Sequence, residues 1–341
     1  MSRCRGRLTT GFLYAETVML GSFVGTQVRS ISALTGRRPA SNASGDQLKD
    51  NGPSMDITTP GNSGISRKIK ALAEISNGYD ALFCDVWGVV HNGERKHPAA
   101  EAALTAARGA GAKVVLLTNS PRPSASVIDQ LDALEFSRDA YDAVVTSGDA
   151  TRALIAETGG PVFHLGPARD IELFDGLCVD RVDEADAAVI VATGLYDDEA
   201  ETPADYGDLL SRLNALGLPM ICANPDLVVH RGDRLIYCAG ALARDYAALG
   251  ATVHLAGKPH RPIYDVATRV AGMSDRARIL AIGDGLMTDI KGANDFGIDV
   301  LLITDGVHGD EFGGPDPDPE AVARVLGERG LDARTFMASL A

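Results

Sequence analysis

The chain lacks three features that would place it in common classes of protein: paired cysteines, long apolar runs and an excess of positive charge. Its five cysteines include no C-x-x-C pair, which favours free thiols in a reducing compartment over a disulfide framework or a zinc site. No apolar run approaches the ~18 residues of a membrane helix. A formal net charge of −14 argues against a surface for nucleic acid, whose phosphates recruit Lys and Arg. We therefore expect a cytoplasmic protein that binds neither membranes nor nucleic acid.

What the chain does have is enough apolar sequence for two domains, with 341 residues of which 45% are hydrophobic. Its first 54 residues differ from the rest, because they carry seven Lys or Arg and only three acidic residues. One interpretation is an organelle presequence. The interpretation we favour is a disordered tail, or a start codon placed upstream of a true beginning at Met55. We predict that residues 1–60 form this extension.

From Ile65 onward, short apolar runs alternate with helical stretches, which is the pattern of a parallel sheet with crossover helices. Strands are predicted at Ala81–Cys84, Lys113–Leu117, Ala143–Val145, Ile279–Ile282 and Val300–Ile303. Helices are predicted at Ala99–Gly109, Ala125–Leu134, Ile263–Ala271 and Thr288–Ala293. Because the apolar runs are continuous and not alternating, both faces of this sheet should be covered.

The region between Ser147 and Thr252 has strand-like and helix-like runs of its own. Val228–Arg231 and Leu235–Cys238 flank Gly232–Asp233, which is a hairpin signal. We predict a second α/β domain inserted into the first. The predicted boundaries are 61–146 for the first part of the core, 147–252 for the inserted cap, and 253–341 for the second part of the core with the C-terminal helices.

Polar clusters follow the predicted strands, at the sheet edge where open α/β proteins bind ligands. Asp85 comes directly after Ala81–Cys84 and before a glycine turn, so its carboxylate could act as a nucleophile. Thr118 and Asn119 follow the next strand, where a hydroxyl and backbone N–H groups can hold an oxyanion. Taken alone, Asp85 is also typical of a loop or a helix cap, and for Thr118 and Asn119 alone a helix cap is the better interpretation.

Two more clusters follow later strands. Lys258, between Gly257 and Pro259, could neutralise both a nucleophilic carboxylate and a transferring phosphoryl group. Asp284 and Asp289 lie five positions apart across a turn into a helix, and such carboxylates suit magnesium. A solvated turn or a capped helix would explain each cluster separately. The order and the strand-end placement of all four predict one acidic pocket.

The four clusters together resemble the motifs of the haloacid dehalogenase (HAD) superfamily, and most closely those of its class IIA branch of p-nitrophenyl and phosphoglycolate phosphatases. The resemblance covers about Tyr79 to Gly306, and Asn224-Pro225-Asp226 is similar to the cap loop of that branch. It implies a Rossmann-like parallel-sheet core with helices on both faces, an inserted α/β cap, and an aspartyl-phosphate intermediate. It also implies Mg²⁺ as the cofactor and a small-molecule phosphate ester as the substrate. Caps of this type often pair, which implies a homodimer.

Carried over by position, the resemblance assigns a role to each motif residue. It assigns catalysis to Asp85 and Lys258, substrate or phosphate binding to Thr118, Asn119, Asn224 and Asp226, and metal binding to Asp85, Trp87, Asp284 and Asp289. In this assignment Asp85 is the nucleophile, Lys258 orients it, and Trp87 contributes its backbone carbonyl. Asp289 supports the acidic loop or Lys258. Apart from the resemblance, Arg152, Arg169, Arg231 and Arg244 are candidates for binding a second anionic group of the substrate, although for any single one an ordinary surface position is the interpretation we favour.

One position departs from the family pattern, because family phosphatases usually carry a second Asp two residues after the nucleophile and this chain has Trp87. That Asp protonates the leaving oxygen and later activates water, whereas an indole only donates a hydrogen bond. Losing a positioned acid or base typically costs ~10²–10⁴ in rate.

Three interpretations of this departure stay open. We favour a phosphatase in which another group or water transfers the protons, and His91 and His260 are nearby in sequence. The alternatives are a dehalogenase-like hydrolase whose leaving group needs no acid, and a catalytically impaired binding or regulatory protein.

Overall fold

The computed structural model describes residues 66–231, 234–314 and 317–341. The predicted extension of residues 1–60 and the predicted turn at Gly232–Asp233 lie outside the described residues. The strands are β1 (Arg67–Lys68), β2 (Ala81–Asp85), β3 (Lys113–Thr118), β4 (Ala143–Thr146), β5 (Val162–Leu165), β6 (Val189–Ala192), β7 (Met220–Cys222), β8 (Val228–Arg231), β9 (Arg234–Tyr237), β10 (Val253–Leu255), β11 (Ile279–Gly283), β12 (Asp299–Ile303) and β13 (Thr335–Met337). The α-helices are α1 (Pro98–Gly109), α2 (Ser124–Ala133), α3 (Ser147–Thr158), α4 (Gly207–Ala215), α5 (Ala239–Ala248), α6 (Arg261–Ala271), α7 (Lys291–Phe296) and α8 (Pro319–Glu328).

Seven parallel strands form the main sheet, in the order β1-β13-β12-β11-β2-β3-β4. Every residue of β2 is buried, as its unbroken apolar sequence predicts. Leu82 and Cys84 pack in one apolar cluster with residues of α1 and α2. Ala81 and Phe83 point to the other face and pack in a second cluster with residues of α6, α7 and α8. The prediction of a parallel sheet covered by helices on both faces is therefore confirmed.

A second parallel sheet has the order β10-β7-β6-β5, and β8 and β9 form an antiparallel hairpin. Residues of α4 and α5 cover one face of this sheet, while Ile155 of α3 and Phe174 pack on the other. The two sheets confirm the predicted fold class of a Rossmann-like core with an inserted α/β unit. Strand β10 pairs with β7, so the second sheet extends three residues past the predicted boundary at 252. The division of the chain into domains at 147 and 252 otherwise stays a prediction.

The structure differs from the sequence-based expectations mainly in short elements. Strands β1, β10 and β13 contain only two or three residues each, too few for a periodic pattern. The helix predicted at Thr288–Ala293 is a π-helical turn, Leu286–Ile290, that continues into α7. Among the described residues, no helix combines the length and apolar character needed to cross a membrane.

Candidate active site

The polar clusters named above meet at the carboxyl ends of the parallel strands. Asp85 is the last residue of β2, Asp284 directly follows β11, and Asp289 lies in the π-helical turn that comes next. Carboxylate oxygens of these three residues lie within 4.8 Å of one another, and all three side chains are buried. The convergence on which the predicted pocket depends is therefore present.

Lys258 lies between two of these carboxylates. Its Nζ donates to Asp85 Oδ1 at 2.5 Å and to Asp289 Oδ1 at 2.7 Å. Burial opposes the charge of the ammonium group, but Asp289 and Asp85 outweigh it and raise the pKa of Lys258. The group is therefore a cation at neutral pH, and three carboxylates share one positive charge.

The pKa values of two of these carboxyl groups, Asp85 and Asp284, are raised. Burial, and next the charge of Asp289, raises the pKa of Asp85 well above its ordinary value. The same two causes raise the pKa of Asp284 to about 6. A divalent cation would remove this penalty, because it would neutralise both carboxylates at once. The donor set fits magnesium, which prefers hard oxygen ligands.

Backbone groups fix the orientation of Asp284. Its Oδ2 accepts a hydrogen bond from Val307 N at 3.0 Å. Gly306 lets the chain approach this closely, because a Cβ at that position would lie 2.0 Å from the same oxygen. Asp289 is held as well, since its Oδ2 accepts from Gly285 N at 3.1 Å while its Oδ1 accepts from Lys258. Asp289 therefore contacts Lys258, and its supporting role stays a prediction.

Asn119 joins three parts of the site, a role that sequence reasoning missed. Its Oδ1 accepts from Lys258 N at 2.7 Å, and its Nδ2 donates to Lys258 O at 3.1 Å and to Asp226 Oδ1 at 2.9 Å. Both polar atoms of the side chain are therefore used within the protein, so only its backbone could hold a phosphoryl oxygen. Thr118 is buried beside it at the end of β3, and its Oγ1 accepts from Ser120 N at 3.3 Å.

The loop after β7 brings Asn224 and Asp226 to this group. Asn224 is buried, and its Oδ1 accepts from Asp226 N at 3.0 Å. The start of α5 packs tightly on the loop, because a Cβ at Gly240 would lie 2.5 Å from Asp226 O. Pro225 in turn packs on the loop that carries Lys258, with its Cδ 2.9 Å from where a Cβ at Gly257 would stand. The structure thus brings Asp226 beside the acidic cluster through Asn119, while the side chain of Asn224 is bonded within its own loop.

Trp87 stands where the second Asp of the family is expected, and its side chain is 43% exposed. The indole packs on its own loop: a Cβ at Gly93 would lie 2.4 Å from its Cη2. The His91 ring lies edge-on to it, with ring centroids 5.1 Å apart and planes at 74°. The side chain offers no titratable group to the site.

Among the described residues, neither nearby histidine ring is hydrogen-bonded to the acidic cluster. His91 is fully buried, its Nδ1 accepts from Gly93 N at 2.9 Å, and burial lowers its pKa to about 4. Burial also lowers the pKa of His260, and the charged groups that act on it are Asp295 and Lys291 of α7.

Of the four candidate arginines, three are engaged elsewhere and the side chain of Arg231 lies outside the described residues. Arg152 donates to Leu173 O and Asp175 O. The two others form ion pairs, Arg169 with Asp198 at 2.5 Å and Arg244 with Asp245 at 2.8 Å. Their binding of a second anionic group stays a prediction.

The fold and the cluster together define a class of α/β hydrolase, and comparison with known proteins identifies the family. The family model for haloacid dehalogenase-like hydrolases matches residues 82–178, and a HAD-hydrolase-like model matches residues 255–328. A solved hydrolase of the haloacid dehalogenase-like family from Brucella suis 1330 is 50% identical. That match covers 80% of this chain and 100% of the other, with a TM-score of 0.70. The chain belongs to the haloacid dehalogenase-like hydrolases.

Two other similar proteins are named as phosphatases. The D-glycerol 3-phosphate phosphatase of Mycobacterium tuberculosis (strain ATCC 25618 / H37Rv) is 28% identical over 245 residues, which is 70% of this chain. This chain spans 66% of the length of that protein. The p-nitrophenyl phosphatase structure from Archaeoglobus fulgidus is 20% identical with a TM-score of 0.63, covering 76% of this chain and 96% of the other, and it shows a common fold.

Proposed function

We propose that the protein is a magnesium-dependent phosphatase that hydrolyses a small-molecule phosphate ester through an aspartyl-phosphate intermediate on Asp85. The observation that carries the proposal is the buried pairing of Asp85 with Lys258, 2.5 Å apart, beside Asp284 and Asp289. A phosphoryl group and a carboxylate nucleophile are both negatively charged and repel each other. Cations that contact the two groups lower this repulsion. The phosphatase names of the relatives point to the same reaction class.

The residues divide the work by position. Asp85 Oδ1 accepts from Val86 N and from Lys258, so the carboxylate is held in one orientation for attack on phosphorus. Lys258 offsets negative charge as the phosphoryl group arrives. The Thr118 hydroxyl and the backbone of Asn119 would bind phosphoryl oxygens, while Asn224 and Asp226 face the ester group.

The residues that would hold Mg²⁺ are Asp85, the carbonyl of Trp87 and Asp284, with Asp289 beside them. When bound, the ion supplies positive charge that lowers the repulsion between carboxylates and phosphate. The proposed cap at residues 147–252 would select the substrate. It would also pair two copies of the chain, and sedimentation analysis can measure this dimer.

The test is the release of p-nitrophenol from p-nitrophenyl phosphate with and without magnesium. We expect turnover that requires the ion and that falls at least about 10⁴-fold in Asp85→Asn, which cannot form the intermediate. Asp80→Asn is the matched control, because Asp80 lies at the opposite end of the same strand in an exposed pair with Arg278.

The two alternatives give different results in the same assay. A dehalogenase would release chloride from haloacids without magnesium. A binding protein would release neither product, yet would be stabilised against heat by its ligand. Either result would contradict the phosphatase.

A further inference from the structure

The proposed reaction needs a proton for the leaving oxygen and a base for the attacking water, and the side chain of Trp87 supplies neither. Of the nearby titratable groups, Asp85 and Asp289 are bonded to Lys258, and Asp284 belongs to the metal site. His91 is fully buried with a pKa of about 4, and among the described residues no hydrogen bond joins the His260 side chain to this cluster. A further carboxyl group lies beside this cluster, hydrogen-bonded to Asn119, and it comes from the loop after β7.

That group is Asp226. Its Oδ1 accepts from Asn119 Nδ2 at 2.9 Å, and the same amide is bonded to both backbone atoms of Lys258. Asp226 is therefore hydrogen-bonded to the Thr118–Asn119 segment that is predicted to bind phosphate. Among the described residues, no hydrogen bond is made to its second oxygen, Oδ2, so that atom remains available to a substrate.

The position of Asp226 is built into the fold. Asn224 holds its backbone N–H, the N-terminus of α5 packs on its carbonyl, and Pro225 packs on Gly257. A carboxyl group that transfers protons must be held at one place relative to phosphorus, and a loop wedged between two other segments meets this requirement.

The electrostatic surroundings suit a proton donor. Burial raises the pKa of Asp226 above its ordinary value, and the Asn119 hydrogen bond and Lys258 act in the opposite direction. Asp289 adds to the increase. An acid with a raised pKa retains its proton closer to neutral pH, as general acid catalysis requires.

Building on the phosphatase proposed above, we infer that Asp226 is a catalytic residue that replaces the absent second Asp as general acid and general base. As Asp85 attacks phosphorus, the bond from phosphorus to the leaving oxygen breaks and the Asp226 carboxyl gives that oxygen its proton, releasing an alcohol. The Asp226 carboxylate then takes a proton from water while the water oxygen attacks the aspartyl phosphate. The bond between phosphorus and Asp85 breaks, which releases phosphate and restores both carboxyl groups.

The experiment compares two substrates of similar shape, phenyl phosphate and p-nitrophenyl phosphate, with the magnesium-loaded protein. Phenolate is the more basic leaving group, so it depends more on a proton donor. In Asp226→Asn we expect kcat/KM to fall by about 10²-fold or more for phenyl phosphate and by much less for p-nitrophenyl phosphate. Loss of the base should also slow dephosphorylation, so p-nitrophenol should appear as a burst equal to the enzyme concentration.

Two results would overturn the inference. One is an equal loss of kcat/KM for both substrates in Asp226→Asn, with no burst, which is the behaviour of a purely structural residue. The other needs no variant: a wild-type protein that hydrolyses p-nitrophenyl phosphate but hardly any phenyl phosphate has no working acid. Asp245→Asn on α5, paired with Arg244, is the matched control.

These outcomes are separable from failure of the phosphatase itself. If wild-type protein hydrolyses neither ester, or if Asp85→Asn has no effect, then the proposed function is wrong. If hydrolysis requires Asp85 but Asp226→Asn shows no dependence on the leaving group, then only the assignment of Asp226 is wrong.

Discussion

The two sides of the site hold their carboxylates in different ways. On the side of the main sheet, Asp85, Asp284 and Asp289 lie within 4.8 Å of one another, and Lys258 bridges two of them. On the side of the second sheet, Asp226 has one side-chain partner among the described residues, the amide of Asn119. The first group is a coupled set in which each charge depends on the others. The second is a single carboxyl group at the end of a firmly packed loop.

This difference indicates a division of roles. A coupled set of buried charges does not tolerate the loss of its one cation, because the carboxylates left behind would be buried without compensation. Substituting a single carboxyl group has only a local effect on stability. That position can therefore carry a residue that suits the chemistry of the substrate. We therefore expect changes on the main-sheet side to affect folding and catalysis together, and changes at Asp226 to affect catalysis.

The largest stability effect should come from Lys258→Met. Two buried carboxylates, Asp85 and Asp289, would lose their shared ammonium group, and breaking a buried ion pair typically costs about 3–5 kcal/mol. Denaturant unfolding of the metal-free protein at pH 7 measures this loss. Asp226→Asn should cost no more than about 1 kcal/mol in the same assay, because asparagine can still accept from Asn119. If the two variants lost equal unfolding free energy, the proposed difference between the main-sheet side and the Asp226 side would be wrong.

A somewhat smaller effect is expected from pH in the metal-free protein. The pKa of Asp284 is about 6 in the folded chain and 3.8 in the reference state, so the folded state binds the proton more tightly. The stability from this group is therefore fully present below about pH 4 and is lost as the pH rises through 6, by on the order of 3 kcal/mol. Unfolding free energies of wild type and Asp284→Asn, compared from pH 4 to 7, isolate this group. A pH-independent difference between them would show that the pKa of Asp284 is not raised in the folded protein.

The metal site offers a third measurement. Gly306→Ala would place a Cβ against Asp284 Oδ2 and turn that carboxylate away from its backbone donor. Displacing a partner that orients a metal ligand typically costs about 10–100-fold in affinity, and titration calorimetry with Mg²⁺ would measure it. Gly327→Ala is the control, because a Cβ at Gly327 would meet open space. If Gly306→Ala bound Mg²⁺ with unchanged affinity, Asp284 would not be a ligand of the ion.

Sequence reasoning found the parts of this site that follow long apolar strands. Asp85 and Asp284 are recognisable because Asp85 ends one strand of five residues and Asp284 directly follows another, each strand with an unbroken run of four apolar residues. Parallel strands end at the same edge, so their convergence could be expected before any coordinates. The same logic failed for β13, whose three residues give no periodic signal although Phe336 is fully buried.

What the sequence could not show is how side chains far apart in the chain meet. Asn119 contacts Asp226, 107 positions away, and an amide after a strand is locally indistinguishable from a helix cap. Closeness in sequence was also a poor guide to function. His91 lies six positions after Asp85, yet folding turns its ring into the interior, where it carries no accessible proton.

The smallest effect is therefore expected from His91→Asn. The asparagine oxygen can replace Nδ1 as the acceptor for Gly93 N–H, and the change removes Nε2, a buried atom without a hydrogen-bond partner in the described chain. Loss of the ring contact with Trp87 should cost about 1 kcal/mol of unfolding free energy. The profile of kcat/KM against pH should keep its shape and position, because His91 stays neutral above its pKa of about 4. If one limb of the pH profile were missing in this variant, His91 would be the group that transfers the proton. The proton donor would then lie on the main-sheet side, and the role inferred for Asp226 would be wrong.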